Sequence, residues 1–275
     1  MKNIGLALGG GAVLGAAHIG VLKAIEEKGI EIKFITGTSI GAFVAALYAF
    51  GKNWNEINDI TSELKWMDIT SISLSRYSLL SNEKFGALLK KHIGDKNIEE
   101  SNIPLAVIAT NAATGEKVIL RKGSVAKAIM ASTCIPGIFN PVVIDDNMLI
   151  DGGIVENVPI NTLRKIGANF IIGVDLNANH NYQKPGNILD VLMNSFHFIM
   201  QQAAKLQTED ADFLIKPDLS AFDRTDTTQI VGLIEKGYED ALVALEKIDL
   251  TPSQNWVVKA LNAIKHTLGI TTAEN

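Results

Sequence analysis

Apolar residues run from Ile4 to Leu8 and then stop at Gly9-Gly10-Gly11. A five-residue apolar run closed by glycines reads as a short buried strand. Beyond it, Ala16, Ile19, Leu22, Ala24 and Ile25 recur at helical spacing, Lys23, Glu26, Glu27 and Lys28 take the other positions, and Gly29 marks the stop. A second apolar run, Ile32 to Ile35, enters Gly37-Thr38-Ser39-Ile40-Gly41, and the apolar segment Ala42 to Phe50 follows. Strand, glycine loop, helix, strand, tight turn, helix predicts a βαβ start and a parallel sheet.

From Asn53 to Ile98 the pattern is helical and interrupted by polar residues, with a serine-rich stretch from Ser71 to Ser81 that reads as a loop. Ile103 to Thr110 reads as a central strand, Gly115 to Leu120 as its partner, and Ala126 to Ser132 as a helix ended by Pro136 and Gly137. A hairpin is expected at Pro141 to Ile144 and Met148 to Ile150, turning on Asp145-Asp146-Asn147. Strands at Phe170 to Val174 and Ala211 to Pro217 alternate with helices at Leu189 to Leu206 and Ile230 to Leu245. A last amphipathic helix is expected at Trp256 to Leu268. Together these predict a three-layer α/β/α fold with a mostly parallel central sheet. They fit one domain over residues 1–275, with its core at about 4–245 and a helical extension at 253–275.

Composition narrows the chemistry. The 275 residues suffice for a sizeable core. A formal charge of −5 argues against a general nucleic-acid binder. One cysteine, Cys134, excludes an internal disulfide and fits a reducing compartment; it reads as a small buried hydrophobe. No stretch reaches transmembrane length without charge or glycine, so a cytoplasmic location is expected, with peripheral contact at a membrane left open.

Three motifs carry chemistry. Gly-Thr-Ser-Ile-Gly between a strand and a helix matches the nucleophile elbow G-x-S-x-G, which presents Ser39 at a sharp corner. The loop Gly9-Gly10-Gly11 has two readings, a pyrophosphate cradle or an oxyanion hole. A dinucleotide site needs an acidic residue at the end of the second strand, and Gly-Thr-Ser stands there instead. Asp151-Gly152-Gly153 directly follows the second strand of the hairpin, and by itself would be read as a turn. His180, His197 and His266 follow Asp151 in the chain order of a Ser-Asp-His triad, but each reads as a surface histidine. His18, just after the glycine loop, reads as a packed or capping residue.

Taken in order, these segments resemble the patatin-like phospholipase family, in particular its compact bacterial members. The resemblance rests on Leu8-Gly9-Gly10-Gly11-Ala12 with Gly15 and Ala17 to Leu22; on Gly37 to Gly41; on Ala131-Ser132 with Ile135 to Phe139; and on Asp151-Gly152-Gly153 with Asn157-Val158-Pro159. It implies a Ser39–Asp151 dyad, oxyanion donors at the amides of Gly10, Gly11 and Ala12, and an acyl-enzyme intermediate. It also implies a lipid or acyl-ester substrate, with no metal and no organic cofactor. Members of that family usually carry Arg or Lys where this chain has Leu14. A cation introduced there is expected to favour anionic phospholipid, unless Leu14 is buried. The expected function is a serine lipid acyl hydrolase of phospholipase A or lysophospholipase type, with acyl transfer possible on the same site. The rival is a catalytically weak regulator that binds a partner.

Overall fold

The structure is a computed structural model that describes residues 2–63, 71–72, 78–179 and 184–248. In chain order its first elements are β1 (Ile4–Leu8), α1 (Ala17–Glu27), β2 (Phe34–Thr38), α2 (Ile40–Ala49), α3 (Trp54–Ser62), β3 (Ser71–Ile72), β4 (Ser78–Ser81) and α4 (Glu83–Ile93). There follow β5 (Leu105–Asn111), β6 (Lys117–Leu120), α5 (Val125–Ser132), β7 (Gly137–Phe139), β8 (Val142–Ile144) and β9 (Asn147–Asp151). The last described are α6 (Ile160–Lys165), β10 (Phe170–Val174), α7 (Ile188–Gln207), β11 (Phe213–Ile215) and α8 (Ile230–Leu245).

The main sheet has eight strands in the order β11-β10-β1-β2-β5-β9-β8, with β6 also on β5. From β11 to β5 every pairing is parallel, and β6, β9 and β8 join in antiparallel fashion. Helices cover both faces. The alternation of a strand buried on two sides is visible in β1. Leu6 and Leu8 enter the large core with α1 and α2, whereas Ala7 enters a smaller core with Val158, Ile160, Leu163 and Ile171. Helix α1 is buried on almost all sides because α8 lies directly against it. A Cβ on Gly20 would fall 2.0 Å from the Ile234 carbonyl, and one on Gly237 would fall 2.2 Å from that of Ala17. The two backbones touch, and only glycine permits that.

The hairpin β8–β9 turns at Asp145 and Asp146, both with positive φ (48° and 61°), as a two-residue turn between twisted strands requires. The serine-rich stretch departs from expectation. Parts of it are strands, β3 and β4, which form a second sheet with β7. The pairing partner lies more than fifty residues away, so local periodicity carries no trace of it. The expected helix at 256–268 and the extension at 253–275 lie outside the described residues, as do His180 and His266.

Candidate active site

Leu8 pairs with Gly37 on one side and with Val174 on the other. The chain therefore leaves β1, β2 and β10 at one level, on the carboxyl edge of the parallel strands, where open α/β sheets hold ligands. The glycine loop, Ser39 and the segment Asp175 to Asn177 meet there.

Ser39 is the corner between β2 and α2. Its backbone stands at φ 55°, ψ −129°, a conformation costing a non-glycine residue roughly 1–3 kcal/mol. The neighbouring glycines serve a different purpose. A Cβ on Gly37 would meet Ala42 Cα at 2.4 Å, and one on Gly41 would meet the Leu8 and Gly9 carbonyls at 2.3 and 2.5 Å. They admit the close crossing of helix and strand, and the serine itself carries the strain. What holds it is Ser132: the Ser39 N–H donates to Ser132 Oγ (2.9 Å), and the Ser132 hydroxyl donates to the Ile108 carbonyl (2.6 Å).

Asp151 ends β9, opposite Ala109 of β5, and is fully buried. Its own backbone is satisfied, the N–H donating to the Cys134 carbonyl and the C=O accepting from Thr110 Oγ1 (both 2.8 Å). Carboxyl Oδ1 accepts from the Gly153 N–H at 2.8 Å. Burial raises the carboxyl pKa from 3.8 to about 7, against the opposing pull of the Ser39 side chain and the Gly153 N–H. The Ser39 hydroxyl thus neighbours the carboxyl, yet Oδ2 has no hydrogen bond of good geometry among the described residues. The two groups are adjacent without a tight bond, a common state of catalytic pairs before substrate binds. Gly152 is again forced by crowding, since its Cβ would meet the Ile108 carbonyl at 2.3 Å, while a Cβ on Gly153 would meet only the flexible Met200 side chain, at 2.7 Å from Cε.

The glycine loop abuts the serine, since a Cβ on Gly10 would lie 3.1 Å from Ser39 Cβ. Its amides are not equivalent. The Gly10 N–H, expected among the oxyanion donors, is directed at Asn157, at 3.1 Å from Oδ1 and 3.4 Å from the carbonyl. The Gly11 N–H has no acceptor among the described residues, and Ala12 begins a short 3₁₀ turn whose first amides lack partners within the turn. His18 is fully buried below the loop, and its Nε2 lies 2.7 Å from the Gly9 carbonyl. Burial lowers its pKa to about 4, so the ring is neutral and Nε2 carries the donated proton.

Helix α7 covers the site. Met200 is buried against Gly10 and Gly153, and Met193 packs against the cluster of Cys134, Ile138 and Phe139. Ser39 is only 7% exposed beneath it. His197, expected on the surface, is buried at 4% because it lies on the inward face of this helix. It lines a cleft of about 610 Å³ together with Met193, Asn194, Phe222, Arg224 and Gln229; neither Ser39 nor Asp151 reaches that cleft. Cys134 is buried, and desolvation pushes its thiol pKa up. Leu14 is fully buried in the large core, so a cation at that position would face hydrocarbon. The expected gain from Leu14→Arg is corrected accordingly: the substitution would destabilise the fold. No group of metal-binding side chains occurs among the described residues.

Asn157, Asn177, Arg224 and Met200 border the site, and none of them was given a role by the sequence reading. Asn157 alone had a signal, its place in Asn-Val-Pro.

Comparison with known proteins gives the family of the chain. Two uncharacterized NTE family proteins, of Mycobacterium tuberculosis and Mycobacterium bovis, are each 34% identical over 181 residues, covering 64% of this chain and 49% of theirs. The neuropathy target esterase sws of Drosophila melanogaster is 33% identical over 185 residues, or 64% of this chain and 13% of its own. The chain thus spans about half the length of the mycobacterial relatives and a small part of the insect one. VipD from Legionella pneumophila shares the fold at a TM-score of 0.50 with 14% identity, over 90% of this chain and 67% of that one. The sequence model of the patatin-like phospholipases matches residues 6–164, from β1 through the Asp151 turn to α6, more than half of the protein, and the chain belongs to that family.

Proposed function

We propose that the protein is a serine acyl-ester hydrolase acting on lipids, of phospholipase A or lysophospholipase type, and that Ser39 and Asp151 form its catalytic dyad. The observation that carries this reading is a strained corner serine beside a fully buried carboxyl whose pKa, about 7, suits a general base at neutral pH. Family membership supports the substrate class, as does similarity to a Coccidioides immitis protein named lysophospholipase NTE1, 33% identical over 185 residues and matched over 12% of its length.

In the proposed reaction Ser39 Oγ attacks the ester carbonyl carbon while its proton passes to Asp151. The carbonyl oxygen becomes an oxyanion held by the Gly11 and Ala12 amides. The Gly10 amide joins them only by leaving Asn157. The tetrahedral intermediate expels the alcohol, which takes the proton from Asp151 and leaves an acyl-serine. Water then attacks the acyl-serine, giving a proton to Asp151, and Ser39 recovers that proton as the fatty acid leaves. No step calls on a metal or a cofactor.

Helix α7 is the element that has to yield for an acyl chain to reach Ser39. Its outward residues Ile188, Val191, Leu192 and Ile199 are exposed and apolar, which favours approach to a lipid surface from that side. No helix among the described residues is long and apolar enough to cross a membrane. The rival reading, a catalytically weak regulator, rests on the missing cation at position 14, where Leu14 belongs to the core, and an activity assay separates the two readings. Hydrolysis of a chromogenic acyl ester and of a lysophospholipid tests the proposal: Ser39→Ala should lower both by at least ~10³-fold with the fold intact. Retention of more than about a tenth of either activity overturns it.

A further inference from the structure

The peptide planes of the glycine loop are each gripped by their carbonyl. In a trans peptide the C=O of one residue and the N–H of the next point opposite ways, so holding the carbonyl aims the amide. His18 Nε2 holds the Gly9 carbonyl at 2.7 Å and so aims the Gly10 N–H, the one spent on Asn157. Asn177 Nδ2 donates to the Gly10 carbonyl at 2.8 Å and so aims the Gly11 N–H. The Leu14 N–H donates to the Gly11 carbonyl at 3.2 Å and so aims the Ala12 N–H. Among these grips, the one at Asn177 continues to a full charge. Arg224 Nη1 donates to Asn177 Oδ1 at 2.7 Å, and Arg224 is itself buried, at 6% exposure.

We propose that Arg224 is a positioning residue for the hydrolysis assigned above, acting through the Asn177 side chain to orient and polarise the Gly10–Gly11 peptide that presents an amide to the oxyanion. The inference rests on the hydrolase reading of this site. A cation on Oδ1 draws electrons through the carboxamide and makes Nδ2–H a stronger donor. That bond draws density onto the Gly10 carbonyl, which leaves the Gly11 N–H more positive, as chains of hydrogen bonds do in a low-dielectric setting. The ends of the relay are fixed. The Val13 N–H donates to the Arg224 carbonyl (3.2 Å), tying the arginine's backbone to the far side of the same loop. Gln201 Nε2 donates to the Asn177 carbonyl (3.0 Å), and the Asn177 N–H donates to Asp175 Oδ1 (2.9 Å). Burial raises the pKa of the neighbouring Asp175 carboxyl, against the opposing pull of the Asn177 N–H and the charges of Lys216 and Arg224.

A neutral donor would satisfy Asn177 Oδ1 equally well as a hydrogen bond. The guanidinium adds a charge, and a field directed at a developing anion would use it.

Steady-state kinetics on a neutral acyl ester, expressed per active site titrated with a fluorophosphonate and run below each variant's melting transition, test this. Arg224→Gln keeps a donor and removes the charge. It should lower kcat by roughly tenfold with KM within about twofold of native, and slow fluorophosphonate acylation of Ser39 by a similar factor. Arg224→Lys, which restores the charge, should recover most of the loss. In an Asn177→Ala background, Arg224→Gln should add less than about a twofold further loss, since the relay is already cut. Native-like kcat in Arg224→Gln overturns the proposal, as does a loss confined to KM, an undiminished Arg224→Gln effect in the Asn177→Ala background, or no recovery with lysine. Should Arg224→Gln not fold, Asn177→Ala alone decides: it cuts the relay with Arg224 in place, and native-like kcat overturns the proposal. A native protein that neither hydrolyses the ester nor labels at Ser39 would refute the hydrolase reading itself, before any variant is compared.

Discussion

The corners at Ser39 and Asp151 are built alike and bear their cost differently. Each follows a strand, each opens into a helical turn, and each needs glycines pressed on neighbouring carbonyls, Gly41 on Leu8 and Gly9, Gly152 on Ile108. At Ser39 the cost is conformational, a side-chain-bearing residue held at φ 55°. At Asp151 the backbone is ordinary (φ −50°, ψ 133°) and the cost is electrostatic, a carboxyl wholly removed from water. Strain of the first kind is indifferent to pH, and that of the second exists only when the group is charged. The two halves of one site can therefore be separated by titration.

The largest expected effect makes the halves equal. Ser39→Ala and Asp151→Asn should each lower ester hydrolysis by at least ~10³-fold, and the double variant should lose little more, because the groups act as a unit. A much milder loss in Asp151→Asn, measured in the same assay, would break the pairing.

Stability should then divide them. A carboxyl raised from 3.8 to about 7 on folding stabilises the native state fully below pH 3.8, and this contribution is lost as pH rises toward 7. Asp151→Asn should therefore melt much like native near pH 4 and higher than native at pH 8, by an amount corresponding to at most roughly 4 kcal/mol. Ser39→Gly should gain about 1–3 kcal/mol near pH 4 by relieving backbone strain, and less at pH 8, where the ionised Asp151 carboxyl has lost the hydroxyl that lowers its pKa. Thermal melts of the two variants at pH 4 and pH 8 check both statements; a gain in Ser39→Gly that grows with pH, as that of Asp151→Asn should, would contradict the division.

The smallest effect concerns the histidine on the cover. His197→Gln should change kcat by less than about tenfold and leave the pH profile in place, as expected if Asp151 is the base. A loss matching that of Ser39→Ala would restore a histidine-based triad.

What could be read from the sequence follows from how local each signal was. The first two strands and helices were plain because glycines punctuate apolar runs of a single period. Ser39 stood out because it sits between glycines at a strand end, whereas Asp151-Gly152-Gly153 by itself read as a turn and took its role from the family resemblance. Arg224 and Asn177 gave nothing, being isolated polar residues in loops, and Asn157 showed only as part of Asn-Val-Pro; Asn177 meets Gly10 across 167 residues of chain. Periodicity likewise placed His197 on a helix but not on its inward face, which depends on how α7 lies over Gly10 and Gly153. Leu14 fails in the same way: its position in the loop was legible, but not the direction its side chain takes within a 3₁₀ turn. Interactions between distant loops decide such details, and one strand's pattern does not contain them.

The central claim is that Asp151 is the base for Ser39, and its most direct test is the rate of fluorophosphonate labelling between about pH 5 and 9, with the labelled residue mapped by mass. The account predicts a single adduct, on Ser39, formed at a rate that rises with pH through an apparent pKa near 7 and loses that dependence in Asp151→Asn. An adduct on another residue, or the same pH profile in the Asp151→Asn variant, would contradict it.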